Sequence, residues 1–500
     1  MNLADILLQQ ARLRPDAPAI VAEGTQLTYQ QLDRLCWRVC AFLQQHGIQK
    51  GQVVACSLQS DLVYALVMLG LARVGATLFS LPENFPPLRQ QMLARAVGAS
   101  LLLRDHDRCS HLELPNLNLE LDELLATRPT QPEHLRDPSP IAPWLIVTGS
   151  GSTGRPHCMC ISHKQQIDRL KLSSHWLNCQ PGERVTTLVR WFFTTTKNRF
   201  WETLFAGSCF VLPGTLRQDP LALCQHMQLD VLHATVPHMI AALTAANRPS
   251  MPEPTRRLRM LSMTSSIIEP ALRQSIHARL GSCLHIRYAV NEGGTISVAT
   301  PSQALNDLLS VGVPLPGVQV QIVDASGQPL PTGEQGLIRF RMPGMLDGYM
   351  DDPGTSARTF RQGWCYPGDL GSLATDGTLR FHGRADDMMI ISGVNLYPSE
   401  VEAVMRRHPA IRDAFVMAMP ESPGQNDSLA VLSPEPSAQV ILEHLKQHAW
   451  DHLGLCMPSH YLFIAEMPRD ERGKLQRHIL LPWIREQLAS RVTETASSPG

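Results

Sequence analysis

Residues 145–157 read LIVTGSGSTGRPH, and the interpretation of the whole chain depends on this stretch. Leu145-Ile146-Val147 has the branching and length of a buried strand end. It runs into Thr148, Gly149, Ser150, Gly151, Ser152, Thr153 and Gly154. Glycines let backbone amides turn inward on a phosphate, and hydroxyls add donors without bulk. The interval from Gly149 to Gly154 approaches the P-loop spacing, but Arg155-Pro156 occupy the places where Lys-Ser/Thr is required. Pro156 also steers Arg155 away from helical geometry, so a strand over Cys158–Ile161, not a helix, is expected to follow. The stretch therefore reads as a phosphate loop of another architecture, hung between two strands.

Outward from this loop the chain alternates. A capping box at Thr28 and Gln31, a stripe of Leu32, Leu35, Val39 and Leu43, and a stop at Gly47 predict one helix. Strands are expected at Val53–Cys56, Ala76–Leu81 and Ser100–Leu103, with helices from about Asp61 and over Leu88–Ala96. After the loop, strands are expected near Val185–Val189, Cys209–Leu212, Val231–Ala234, Leu258–Met263 and Cys283–Tyr288, with helix-sized intervals between them. This order predicts an α/β fold of layered sheets and covering helices. Asp105–Pro143 is expected to form surface loops, Val311–Phe381 an all-β segment, and the region beyond Arg384 a small α+β domain. The expected division is residues 1–384, residues 385–490, and a disordered tail over 491–500.

Composition narrows the class of protein. Five hundred residues can bury a large core, and 44% hydrophobic with 18% charged residues describes a globular chain. The net charge of −1 gives no bulk reason to expect nucleic acid or a membrane surface as partner. The opening MNLADILLQQARLRPDAPAI is an amphipathic helix pattern without a cleavage site, and the apolar run Leu62–Ala72 is too short to span a bilayer. Twelve cysteines lack paired spacing, and Cys158 and Cys160 are read as core thiols, so a cytoplasmic location is expected.

Taken as Ser150-Gly151-Ser152-Thr153-Gly154-Arg155-Pro156-His157-Cys158, the loop resembles the ATP-binding signature of the adenylate-forming superfamily of acyl- and aryl-CoA synthetases, peptide-synthetase adenylation domains and luciferases. That signature ends in Lys-Gly, where this chain has His157 and Cys158. Further stretches resemble the superfamily's motifs in order. Tyr288-Ala289-Val290-Asn291-Glu292 matches a Tyr-Gly-x-Thr-Glu motif except at Ala289 and Asn291. Gly333-Glu334 opens the β segment, and Tyr366-Pro367-Gly368-Asp369 resembles a Thr-Gly-Asp motif. Gly383-Arg384-Ala385-Asp386, with Ser392-Gly393-Val394-Asn395, resembles the hinge. Pro468 to Arg477 resembles the terminal Pro-x₄-Gly-Lys-x-x-Arg motif.

The resemblance implies a small mobile C-terminal domain and an acid-thiol ligase that uses ATP, Mg²⁺ and either CoA or a carrier protein's phosphopantetheine. It implies that Lys474, Thr153 and Glu292 are catalytic, with Glu292 holding the metal. Ser150, Gly151, Ser152, Thr153, Gly154, Thr264, Ser265, Ser266, Tyr288, Asn291, Asp369 and Arg384 would bind ATP. Asp386 would be the hinge, and Gly393 would line the thiol tunnel. In amino-acid-activating members an aspartate precedes the helix that here contains Phe200 and Trp201. The segment Trp191–Lys197 has no acid, so a fatty or aromatic acid is expected rather than an α-amino acid, with Trp191, Phe192, Phe193 and Trp201 as candidate pocket walls. A separate acyl carrier protein is the alternative thiol partner. The departures at His157, Cys158, Ala289 and Asn291 keep a second reading open, a degenerate homologue that binds nucleotide or a partner without catalysis.

Overall fold

A computed structural model of the chain describes residues 2–81, 87–128, 139–149, 157–246, 258–264, 268–385, 389–391, 394–396, 398–419, 427–436, 438, 440–454 and 457–496. By contact density the chain divides into one unit of Met1–Val320 with Arg339–Pro367, and another of Gln321–Ile338 with Gly368–Gly500.

The first unit is built on two sheets. One has six strands in the order Asn116–Asn118, Ala99–Arg104, Val53–Ser57, Thr77–Ser80, Pro143–Gly149 and His157–Ser162. Its members run parallel until the last pair, an antiparallel hairpin in which Val147 faces Met159 and Gly149 faces His157. The strands that lead into and out of the glycine-rich stretch are therefore antiparallel neighbours on an otherwise parallel sheet. The second sheet has nine strands, with Arg184–Thr187, Cys209–Val211, Val231–Ala234, Met260–Met263 and Leu284–Val290 parallel at its centre. Chain order reverses at Arg184–Thr187. The next strand, Cys209–Val211, lies on one side and Val231–Ala234 on the other. In open α/β sheets a ligand crevice forms at the carboxyl ends beside such a reversal.

Helix grammar held where it was read. Tyr29–Gln45 starts at the Thr28–Gln31 capping box, and His163–Leu177 starts at a second one formed by Ser162 and Gln165. Asp61–Val74 is apolar around almost its whole circumference and is buried accordingly. It crosses Tyr29–Gln45 so closely at Gly70 that a Cβ there would stand 2.6 Å from Val39 Cγ1. These helices, with Trp144, Trp191, Phe200 and Trp201, make the largest apolar cluster.

The segment Val311–Phe381, expected to be all β, contains one helix, Pro353–Thr359. Asp352 caps it by accepting the Thr355 N–H, and Pro353 fills the first turn. Asp105–Pro143 likewise holds a short strand, Asn116–Asn118, and a helix, Leu121–Ala126.

In the second unit, Ile411–Ala418 pairs antiparallel with Ser428–Pro434, which pairs parallel with His460–Phe463. Pro398–Arg406 and Leu442–Leu453 pack one apolar cluster against this sheet, and Leu480 and Ile484 of the last helix join another. That last helix spans Arg477–Ala496 and so enters the stretch expected as a tail. Strand Asp369–Leu373 pairs with Leu379–Arg384, placing Asp369 opposite Arg384. Among the described residues no helix is long and apolar enough to cross a membrane, and no cluster of His, Cys, Asp or Glu has metal-binding geometry. Cys158 is buried and Cys160 packs beside it, as core thiols do.

Candidate functional site

Ser150, Gly151, Ser152, Thr153, Gly154, Ser265, Ser266, Asp386 and Gly393 lie outside the described residues. The remaining site residues fall into two groups, one in each unit.

In the first unit, Tyr288 is buried near the end of Leu284–Val290, and Asn291 and Glu292 occupy the turn into Gly294–Ala299. The turn is tight because Gly293 packs on Phe340 and Met342, where a Cβ would collide at 2.6 Å. Thr264 fastens the neighbouring strand end, its hydroxyl donating to the Arg287 carbonyl at 3.0 Å. The backbone of Glu292 is held from a distant helix. Arg169 donates to the Glu292 carbonyl at 3.0 Å and to the Gly344 carbonyl at 2.8 Å. Burial lowers the Arg169 guanidinium to about 10, with the Glu292 charge opposing that shift.

The Glu292 carboxylate accepts one hydrogen bond at Oε1, 2.7 Å from the Tyr349 hydroxyl. Burial and that negative charge push the Tyr349 phenol far above its usual range, so it remains a donor at any working pH. Oε2 accepts no bond among the described residues, and the side chain is partly exposed. One anchored oxygen and one open oxygen suit a hard divalent cation such as Mg²⁺, so the residues present fit that metal.

His157, at the loop's exit, pairs through Nδ1 with Asp352 Oδ2 at 2.8 Å and stacks on Tyr349 at 5.1 Å. Asp352 is held below the ordinary carboxylate range by the Thr355 hydrogen bonds first, with His157 adding to them. None of Arg169, Tyr349 and Asp352 was singled out from sequence. The available signal was Asp352-Pro353-x-Thr355, a helix-start pattern in a region read as strands.

The acyl-wall candidates separate. Trp191 and Trp201 are buried in the main apolar cluster, Trp191 stacked on Tyr64 at 5.2 Å and Trp201 edge-on to Trp144 at 6.1 Å. Phe192 and Phe193 are partly exposed in the loop beyond Arg184–Thr187, at the crevice end of the sheet. Lys197 is fully buried and fixes that loop, donating to the carbonyls of Trp191, Phe192 and Phe193 at 2.6, 3.0 and 3.5 Å. Burial lowers its ammonium to about 7.

In the second unit, Asp369 is buried, and its Oδ1 accepts from Arg384 at 3.1 Å. Gly368 has φ +80° and abuts the Arg384 guanidinium, where a Cβ would come within 2.9 Å. Lys474 sits on the exposed side of a turn organised by Asp470. The Asp470 carboxylate accepts the N–H groups of Arg472 and Lys474, each at 2.9 Å, and Gly473 turns at φ +79°. Arg469 ties the turn to Asp413 at 2.7 and 2.9 Å. Partial desolvation, then the charges of Arg472, Arg384 and Arg477, hold the Lys474 pKa below that of ordinary lysine, while Asp470 opposes them. In its protonated form a lysine on this turn can meet developing negative charge.

Comparison with known proteins agrees with this layout. Residues 7–350 match the AMP-binding enzyme family, and residues 400–474 match its C-terminal domain. The chain is 26% identical to a 3-hydroxybenzoate–CoA ligase of Aromatoleum sp. (strain CIB), covering 95% of this chain and 96% of that protein. It is 25% identical to the fatty acid–[acyl-carrier-protein] ligase ScoC of Streptomyces coeruleorubidus, over 94% of each. A dimodular nonribosomal peptide synthase of Bacillus subtilis is also 25% identical, but the chain spans only 21% of its length. Among solved structures, O-succinylbenzoate coenzyme A synthetase of Bacillus subtilis in complex with AMP superposes with a TM-score of 0.84 at 21% identity, covering 95% of this chain and 97% of the other. At that identity the likeness speaks for the fold.

Proposed function

Because the chain belongs to the AMP-binding enzyme family, we propose that it activates a carboxylic acid with ATP and passes the acyl group to a thiol. In the first step a carboxylate oxygen attacks the α-phosphorus of ATP, and pyrophosphate leaves. In the second a thiolate attacks the adenylate's carbonyl carbon, and AMP leaves. Bound Mg²⁺ supplies charge neutralisation on the phosphates. The chain's own part is to position groups and stabilise charge. In this reading Glu292 holds the metal and Tyr288 packs on the adenine. Asn291 and Thr264 serve the phosphates, and Ser150 to Gly154 receive the departing pyrophosphate. Asp369 accepts the ribose hydroxyls, Arg384 contacts the nucleotide, and Lys474 bridges the reacting oxygens. The observation that carries the reading is the Glu292 carboxylate, with one oxygen anchored by Tyr349 and the other open.

The acid is proposed to be fatty or aromatic, with Phe192 and Phe193 against it. The charge in that segment is a buried cation, Lys197, which cannot pair with a substrate ammonium. The thiol is CoA or a carrier's phosphopantetheine. The small domain, residues 385–490, is proposed to rotate about Asp386 after the first step and withdraw Lys474, which exposes a thiol path at Gly393. A cytoplasmic location belongs to the same reading. The test is mass spectrometry of the acyl-adenylates formed from a mixed acid pool with ATP and Mg²⁺. A fatty or aromatic adenylate is expected. Absence of any adenylate and of pyrophosphate release would overturn the proposal. Gly393→Leu should keep pyrophosphate release and lose thioester, and a normal thioester yield would remove Gly393 from the thiol path.

A further inference from the structure

The Glu292 carboxylate is not oriented by its own turn. Among the described residues its hydrogen bond comes from Tyr349, 57 positions away in the chain. The Tyr349 ring packs against two others, His157 at 5.1 Å with a 29° interplanar angle and Phe360 edge-on at 5.4 Å. A ring packed against two others has little rotational freedom, so the direction of its hydroxyl is set. His157 is itself fixed by Asp352, whose Oδ2 takes Nδ1 at 2.8 Å while Oδ1 caps the helix Pro353–Thr359 at Thr355. The contacts run without a gap from helix cap to histidine to tyrosine to carboxylate.

Resting on the metal role proposed for Glu292, we propose that His157 is a positioning residue for that carboxylate, acting through Tyr349, and is not a phosphate ligand. The lysine of the superfamily signature would offer charge to the leaving pyrophosphate. His157 instead spends its Nδ1 on Asp352 and its ring face on Tyr349. Because His157 directly follows the loop 150–156, the same contact anchors the loop's exit to the metal carboxylate. The substitution of histidine for lysine thus replaces a direct electrostatic task with a mechanical one.

The test uses the full chain with Mn²⁺ as a paramagnetic probe and α,β-methylene-ATP as a nucleotide that cannot react. Partners that orient a metal ligand typically contribute 10–100-fold to metal affinity, so Tyr349→Phe should weaken Mn²⁺ binding about tenfold. His157→Ala should weaken it about fivefold, by the same route. In the Tyr349→Phe background the histidine change should add less than about twofold, because the route is already cut. His157→Phe, which keeps a ring on Tyr349, should recover most of the loss and guards against misfolding of the alanine variant. In steady state, His157→Ala should raise the Mg²⁺ requirement and leave the KM for ATP at saturating Mg²⁺ within about twofold. Unchanged Mn²⁺ affinity in His157→Ala and Tyr349→Phe would overturn the inference. So would a loss of nucleotide affinity in His157→Ala that is equal in both backgrounds, since that marks a direct phosphate contact. A parent protein that binds no Mn²⁺ with the analogue would remove the metal role of Glu292 and the inference with it.

Discussion

The turn carrying Glu292 and the turn carrying Lys474 hold their charged groups in opposite ways. Glu292 is fixed from afar, its backbone by Arg169 at a separation of 123 positions and its carboxylate by Tyr349 at 57. Lys474 sits on a turn that fixes itself. Asp470 gathers the N–H groups of Arg472 and Lys474, and Arg469 donates to the Gly473 carbonyl at 2.8 Å. The Arg469–Asp413 pair ties this turn to the neighbouring strand. A carboxylate proposed to hold a cation gains from such remote supports. A lysine proposed to be delivered and withdrawn by a rotating domain needs its supports inside that domain, and Asp413, Arg469 and Asp470 all belong to it.

This contrast can be broken by experiment. The largest effect is expected from Lys474→Ala, which should lower pyrophosphate release about a hundredfold or more while leaving thioester formation from supplied acyl-adenylate intact. A variant that releases pyrophosphate at the parental rate would remove Lys474 from the reacting oxygens. Next come two substitutions aimed at the supports. Asp470→Ala should slow adenylate formation about tenfold by loosening the turn, yet leave the global urea midpoint nearly unchanged. Arg169→Met should do the converse to the fold, costing on the order of 2–3 kcal/mol in urea unfolding, because buried bonds to two carbonyls are lost together. Equal stability losses in the two variants would erase the distinction between local and remote support.

The last effect, confined to stability, concerns Lys197. Burial holds its pKa at about 7 in the folded chain, below the roughly 10.4 of a free lysine. Between those values the unfolded chain binds more protons than the folded one, so stability contributed at this position rises as pH increases. The urea midpoint of the parent, measured relative to Lys197→Met, should climb from pH 7 to pH 10. A flat difference would mean that the three carbonyls around Nζ keep the ammonium charged throughout.

The same contrast explains what could be read in the sequence. The alternation of strands and helices, the capping box at Thr28 and the helix from Asp61 rest on near neighbours, and they are recovered. The Lys474 turn is equally local, with its Pro, Gly and Lys spaced within one motif. The support of Glu292 is not local. Nothing near Arg169, Tyr349 or Asp352 in the chain marks them, and their role exists only once the first sheet's hairpin and the helix Pro353–Thr359 stand beside the turn. Trp201 has a related ambiguity. A tryptophan beside an expected pocket reads the same whether it faces substrate or core, and its packing against Trp144 is decided by the fold. The helix Pro353–Thr359 was hidden because seven residues are too few to show a helical period.

One pairing in the nine-stranded sheet has a consequence for the chain's birth. Strand Pro18–Ala22 is made early, but its parallel partner is Cys209–Val211, with Ile20 opposite Phe210. At synthesis rates of about 5–20 residues per second, the first strand waits roughly 10–40 s for that partner to leave the ribosome. During the wait Ala19, Ile20 and Val21, all buried in the finished protein, have the hairpin with Thr25–Thr28 and the helix Tyr29–Gln45 beside them but lack the Cys209–Val211 edge. A two-stranded hairpin is marginal alone in water, so the nascent chain carries an unpaired strand edge until Cys209–Val211 emerges. Its yield in cells should therefore depend on chaperone supply more than the stability of the completed fold would suggest.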